Sequence, residues 1–134
     1  MPYQVFPAHD GHLIIACGND TQFRALCSVL DMPALPDDPA YATNPARVEN
    51  REALSALLSE RTGQKTRDDM IAALEAANVS AGPINTVEDA LSNPQFLHRG
   101  LRIAPEGIPG FQTPILYSRS QLDLQKSAPL LPRR

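Results

Sequence analysis

Ala76-Ala77-Asn78-Val79-Ser80-Ala81-Gly82-Pro83-Ile84-Asn85-Thr86-Val87-Glu88-Asp89-Ala90-Leu91-Ser92-Asn93-Pro94-Gln95 runs a helix end, a short strand and two capped helical turns together. Asn78-Val79-Ser80 leaves the helix and Gly82-Pro83-Ile84 reads as extended. Thr86 is placed to cap a turn over residues 87–91, its hydroxyl accepting from a first-turn amide. Asn93-Pro94 repeats the device, with Pro at the first helical position where its missing N–H costs nothing. Each residue has a local structural reason, and none is an obvious catalyst. A helix that returns into a short buried strand is the grammar of a mixed domain, and the rest of the chain agrees with it.

Upstream, Thr66-Arg67-Asp68-Asp69 resembles a capping box with Asp for Glu. It opens a helix expected to bury Met70, Ile71, Leu74 and Ala77. Adjacent Asp68 and Asp69 point about 100° apart on a helix, so they do not converge as an acid–base pair. They suit the positive end of the helix dipole instead. Asn44-Pro45 predicts one helix to about residue 61, with Asn44 as cap, Leu54, Leu57 and Leu58 inward and Gly63 ending it. Arg47, Glu49, Arg51, Glu52 and Glu60 read as its solvated face. Residues 31–43, with Pro33, Pro36 and Pro39, read as a loop.

Near the start, Tyr3-Gln4-Val5-Phe6 alternates as a strand and Asp10-Gly11 signals a hairpin turn. Residues 13–17 form the return strand, apolar throughout and expected to be central. Phe23, Leu26, Cys27 and Leu30 then share one helix face, with Asn19 or Asp20 as the cap. His9 and His12 flank the hairpin turn without Cys or carboxylate partners at ligand spacing, so metal binding is not expected. Downstream, residues 101–104 read as a strand burying Leu101 and Ile103, and Ile115-Leu116-Tyr117 as a further short strand. The five prolines from Pro105 to Pro132 make residues 105–134 look like a linker, after a small domain at residues 1–104.

The bulk composition narrows the function classes. In 134 residues, 43% are hydrophobic and 20% charged, which suits a single modest core. A net charge of −3 gives no basic footprint for nucleic acid. No run is long enough for a membrane span, and the N-terminal residues have no signal-peptide pattern, so a cytoplasmic protein is expected. Cys17 and Cys27, the two cysteines, read as small core residues in a reducing compartment.

The order of these pieces resembles the class III CoA-transferase family, to which formyl-CoA transferase, carnitine CoA-transferase and α-methylacyl-CoA racemase belong. The likeness is carried by Pro2-Tyr3-Gln4-Val5-Phe6, Asp10-Gly11 and Ala16-Cys17-Gly18-Asn19-Asp20, then Phe23, Leu26 and Cys27. It continues through Asp38-Pro39-Ala40-Tyr41-Ala42-Thr43-Asn44 with Arg47 and Asn50-Arg51, then residues 79–94, and ends in Ser127-Ala128-Pro129-Leu130-Leu131.

The resemblance implies an α+β fold, a small antiparallel sheet with several packed helices, equivalent to the family's small domain. It implies a homodimeric parent enzyme acting on acyl-CoA, with no covalently bound cofactor and the coenzyme A thioester as substrate. The catalytic Asp, or the racemase His and acid, would lie on a large domain outside these residues, so no residue here inherits a catalytic role. Tyr3 and Gln4, beside the expected position of a glycine-rich loop, are the residues expected to line the acyl pocket.

Overall fold

The computed structural model describes residues 1–127 and Pro129. The chain divides into two compact units, Met1–Ile84 and Asn85–Arg134.

The first unit is built on a three-stranded antiparallel sheet of order β1-β2-β3, made of β1 (Tyr3–Ala8), β2 (Gly11–Ala16) and β3 (Ser80–Pro83). The all-apolar return strand is therefore the central one, as its composition implied. Tyr3 pairs with Ala16 and Ala8 with Gly11, so His9 and Asp10 form the turn itself. Asp10 then reaches away from the hairpin, its carboxylate accepting the Arg67 amide at 2.7 Å.

Four α-helices and a 3₁₀ turn at Leu35–Asp37 complete this unit, the helices being α1 (Asp20–Val29), α2 (Asn44–Glu49), α3 (Arg51–Thr62) and α4 (Arg67–Ala76). β1 lies against α3, and β2 and β3 against α4. Phe6, Leu13 and Ile15 from the sheet meet Phe23, Leu26, Leu54, Leu58, Met70 and Leu74 in the core, all at most 1% exposed. The helix starts follow their local signals. Asn19 caps α1 by accepting from Gln22, and Thr66 caps α4 by accepting from Asp69. Residue 78 leaves α4 at φ +56°, a conformation that asparagine tolerates better than most residues.

Four expectations for residues 44–62 are corrected. The single long helix is two, broken at Asn50 (φ −97°, ψ 25°). The Asn50 amide donates to Ala40 O and Ala46 O at 3.2 and 3.0 Å, spending its side chain on the preceding loop. The cap is Thr43, whose hydroxyl accepts from Ala46, while Asn44 is the first helical residue. Leu57 does not face inward: it is 38% exposed, because α3 buries Leu54, Leu58 and Thr62 at four-residue spacing and Leu57 lies about 100° from Leu58. The largest correction concerns Arg47, expected in solvent and found 1% exposed.

The second unit holds α5 (Val87–Ser92), α6 (Pro94–His98) and a two-stranded ribbon of β4 (Arg102–Ile103) and β5 (Gly110–Phe111). Thr86 and Asp89 form a complete capping box, and Asn93 caps α6 by accepting from Gln95. The strand expected over residues 101–104 shrinks to two residues, with Leu101 and Ile103 half-buried. Ile115, Leu116 and Tyr117 form no strand and are exposed. Of the residues expected to form a linker, 128 and 130–134 lie outside the described residues, as do the family-like residues Ala128, Leu130 and Leu131.

Candidate functional site

Tyr3 and Gln4 are neighbours on a strand, and successive strand side chains take opposite faces. The structure separates them accordingly. Gln4 lies on the helix-covered face, where its amide exchanges hydrogen bonds of 3.1 and 3.3 Å with the Ser55 hydroxyl of α3. Tyr3 lies on the other face and is 73% exposed. Along that face the pairing register aligns Tyr3 with Ala16 and Ser80, and Val5 with Ile14 and Gly82. The outcome is a shallow apolar face with a phenol and a hydroxyl at one end. Gly82, paired with Ile14, keeps it low by adding no side chain. Chemically this face offers van der Waals contact to an apolar chain and two hydroxyl groups to a polar end.

At the start of β1 sits a group that periodicity did not reveal. The Arg47 guanidinium donates through Nε to Met1 O at 2.8 Å, through Nη1 to Tyr41 O at 2.9 Å and through Nη2 to Asp20 Oδ1 at 2.5 Å. Its carbon stands 4.3 Å from the centre of the Phe23 ring, a cation–π contact in a water-poor setting. Charge-assisted bonds in a fixed fork are among the strongest side-chain interactions available. The arrangement joins the chain start, the 38–43 loop and the first turn of α1. Further bonds extend it. The Met1 amino group donates to Asn44 Oδ1 at 2.6 Å, and the Cys17 amide donates to Pro2 O at 2.8 Å. Burial, and after it the Arg47 charge, hold the Met1 amino group below its ordinary pKa.

Both thiols are buried and free. Burial pushes Cys17 up to about 11 and Cys27 up to about 12, so neither is a thiolate at neutral pH. Asp69 serves the Thr66 cap, while Asp68 is exposed with Arg67 Nε at 3.6 Å. His9 and His12 are exposed on the hairpin. Among the described residues no three His, Cys, Asp or Glu side chains come together as a metal-binding group. In the second unit a cavity of about 690 Å³ is lined by Val87, Leu91, Pro109 and Phe111, with Glu88 and Arg102 at its wall. Its mainly apolar lining suits an apolar group, and the Ser92 hydroxyl in its wall donates to the Glu88 carbonyl at 2.8 Å.

Comparison with known proteins gives this arrangement its context. The chain is 43% identical over 135 residues to the succinate–glutarate CoA-transferase of Agrobacterium fabrum, matching 97% of itself and 34% of that protein. It is 35% identical to the human succinyl-CoA:glutarate CoA-transferase, matching 98% of itself and 31% of the relative. Its fold superposes on the crystal structure of a CaiB/BaiF family protein from Brucella suis with a TM-score of 0.92 and 52% identity, covering 97% of this chain and 34% of the other. The chain thus spans about a third of the length of these relatives. The profile of CoA-transferase family III matches residues 1–133, and the chain belongs to that family.

Proposed function

We propose that this chain is the small-domain part of an acyl-CoA:carboxylate CoA-transferase, and that it shapes the acyl side of the active-site cleft without being catalytic alone. The reaction exchanges a thioester for a carboxylate: an acyl-CoA and a free acid become the first acid and the CoA thioester of the second. CoA is a substrate here, and no cofactor is consumed. The observation that carries the reading is the co-linear match of 97% of the chain, at 43% identity, to a succinate–glutarate CoA-transferase. By that likeness the acids are short dicarboxylates.

Within this reading, residues 1–104 are the small domain and residues 105–134 the linker towards a large domain that supplies the catalytic carboxylate and the CoA site. The absence of regular elements over the described residues 112–127 supports the linker. Tyr3 and Gln4 remain the proposed acyl-side residues, Tyr3 by direct exposure and Gln4 by bracing β1 on α3. Keeping an activated acyl group from water is what a covering domain contributes. The complete enzyme is proposed to be a cytoplasmic homodimer. The free, buried cysteines support a reducing compartment, and no helix among the described residues is long and apolar enough to cross a membrane.

The test is a chimera of the Agrobacterium fabrum transferase carrying this chain in place of its matching third, beside the isolated chain. Formation of glutaryl-CoA from succinyl-CoA and glutarate is followed by chromatography. The chimera is expected to turn over and the isolated chain to give none. Turnover by the isolated chain, or a folded chimera inactive towards every short dicarboxylate, would overturn the proposal.

A further inference from the structure

We propose that Arg47 is a positioning residue, acting through the Met1 carbonyl to fix where β1 and its exposed Tyr3 stand beside the acyl group. The inference rests on the transferase reading given above.

A core position that only needed filling would be served by Leu or Met, without the cost of burying a cation. What the guanidinium adds is direction. It is permanently charged, and its planar fork presents donors at fixed angles. Arg47 sends one hydrogen bond to each of three separate segments, the backbone of Met1, the backbone of Tyr41 and the Asp20 carboxylate. The Phe23 ring beneath it, 4.3 Å away, limits tilting of the plane.

From Met1 the restraint has only one residue to cross before Tyr3. That residue is Pro2, whose φ is held by its ring and whose carbonyl is gripped by the Cys17 amide at 2.8 Å. The approach to β1 is therefore pinned at two successive carbonyls, one by a buried cation and one by the neighbouring strand. Tyr3 itself makes no side-chain hydrogen bond among those described, so its location is set by this backbone. A misplacement of about 1 Å near a reacting group can cost on the order of 100-fold in rate, which makes such a pin consequential.

The test uses Arg47→Lys, which keeps the charge and loses the fork, against Leu74→Ala as a control destabilised elsewhere in the core. In the isolated chain, hydrogen exchange of the Cys17 amide is expected to speed at least about tenfold in Arg47→Lys, beyond any change at the Leu58 amide. In the chimeric transferase, kcat/KM for glutarate is expected to fall at least about tenfold at a temperature where circular dichroism shows it folded. Leu74→Ala is expected to stay within about twofold of the parent there, since it lies on α4, which packs on β2 and β3. Equal exchange changes at Cys17 and Leu58, or equal kcat/KM for the two variants, would overturn the proposal. An inactive parent chimera would instead sink the transferase reading and leave the exchange experiment to decide the pin. Should Arg47→Lys fail to fold, Asp20→Asn, at a 63% exposed side chain, loosens the same pin and is read identically.

Discussion

Replacing Arg47 with methionine keeps much of the buried stem and deletes every donor. The Asp20 side chain, 63% exposed, returns to water at little cost. The Tyr41 carbonyl, in a residue only 9% exposed, loses its 2.9 Å partner, and an orphaned buried acceptor costs about 1–3 kcal/mol. The partly buried Met1 carbonyl adds about 1 kcal/mol on the same scale, and the lost contact with Phe23 about another 1 kcal/mol. Against this, methionine no longer carries a buried charge, which recovers part of the desolvation cost. The balance is a loss of about 2–4 kcal/mol, within the range for breaking buried polar networks. A unit the size of Met1–Ile84 is expected to be stable by roughly 4–13 kcal/mol, so the loss is large.

The Arg24–Asp37 pair supplies the comparison. It is also short, at 2.8 Å, but both side chains are more than half exposed. Arg24→Met is therefore expected to leave the urea midpoint nearly unchanged. Urea unfolding followed by far-ultraviolet circular dichroism measures both. In melts, Arg47→Met is expected to lower Tm by about 8–32 °C, at roughly 4–8 °C per kcal/mol. If the two variants fall within about 0.5 kcal/mol of each other, or Arg47→Met is more stable than the parent, the reasoning is wrong and the buried cation is a net burden.

Two further substitutions and a titration extend the test. Leu58→Ala empties a fully buried site on α3 and is expected to cost about 2–5 kcal/mol, against under about 1 kcal/mol for the neighbouring Leu57→Ala, at 38% exposure; equal losses in urea would contradict the helix face assigned. Cys17 and Cys27, held up to about 11 and 12, are expected to resist iodoacetamide at pH 8 in the folded chain and react once it unfolds. Their raised pKa also fixes the sign of the pH effect. The unfolded thiols ionise first, near 8.5, so stability from this source is complete below that value and is lost as pH rises towards 11–12. A urea midpoint unchanged between pH 7.5 and 10.5 in the parent, relative to a variant with both cysteines replaced by alanine, would contradict it.

The parts of the fold readable from sequence are those whose causes are local. The caps at Thr66, Thr86 and Asn93 satisfy donors two or three residues away, so their signals are complete within one turn. The same holds for the face of α1, where Phe23, Leu26 and Cys27 are buried together. Arg47 fails that condition. Its partners at Asp20 and Met1 lie 27 and 46 residues away, and no window of helical length contains them. Periodicity even points the wrong way here, since Val48 is 48% exposed and Arg47 1%. Asn50 breaks the helix for a related reason, a bond to Ala40 ten residues back. Tyr3 and Gln4 were expected as one site, and simple strand alternation already separates them onto two faces.

The family-like run from Asp38 to Asn50 takes on a physical meaning in this light. Asp38 accepts from the Ala40 amide at 2.9 Å and closes the loop. The Tyr41 carbonyl receives Arg47, Thr43 caps α2, and Asn50 ties α2 back to Ala40. Each of these residues is spent on geometry, and none presents a free nucleophile to a substrate. A family can thus be recognised in a segment by the residues that hold its scaffold. Substitutions in this run should act through where β1 starts and how firmly the unit is held. Their activity losses should then track amide exchange at Cys17 rather than the pH profile of a reacting group.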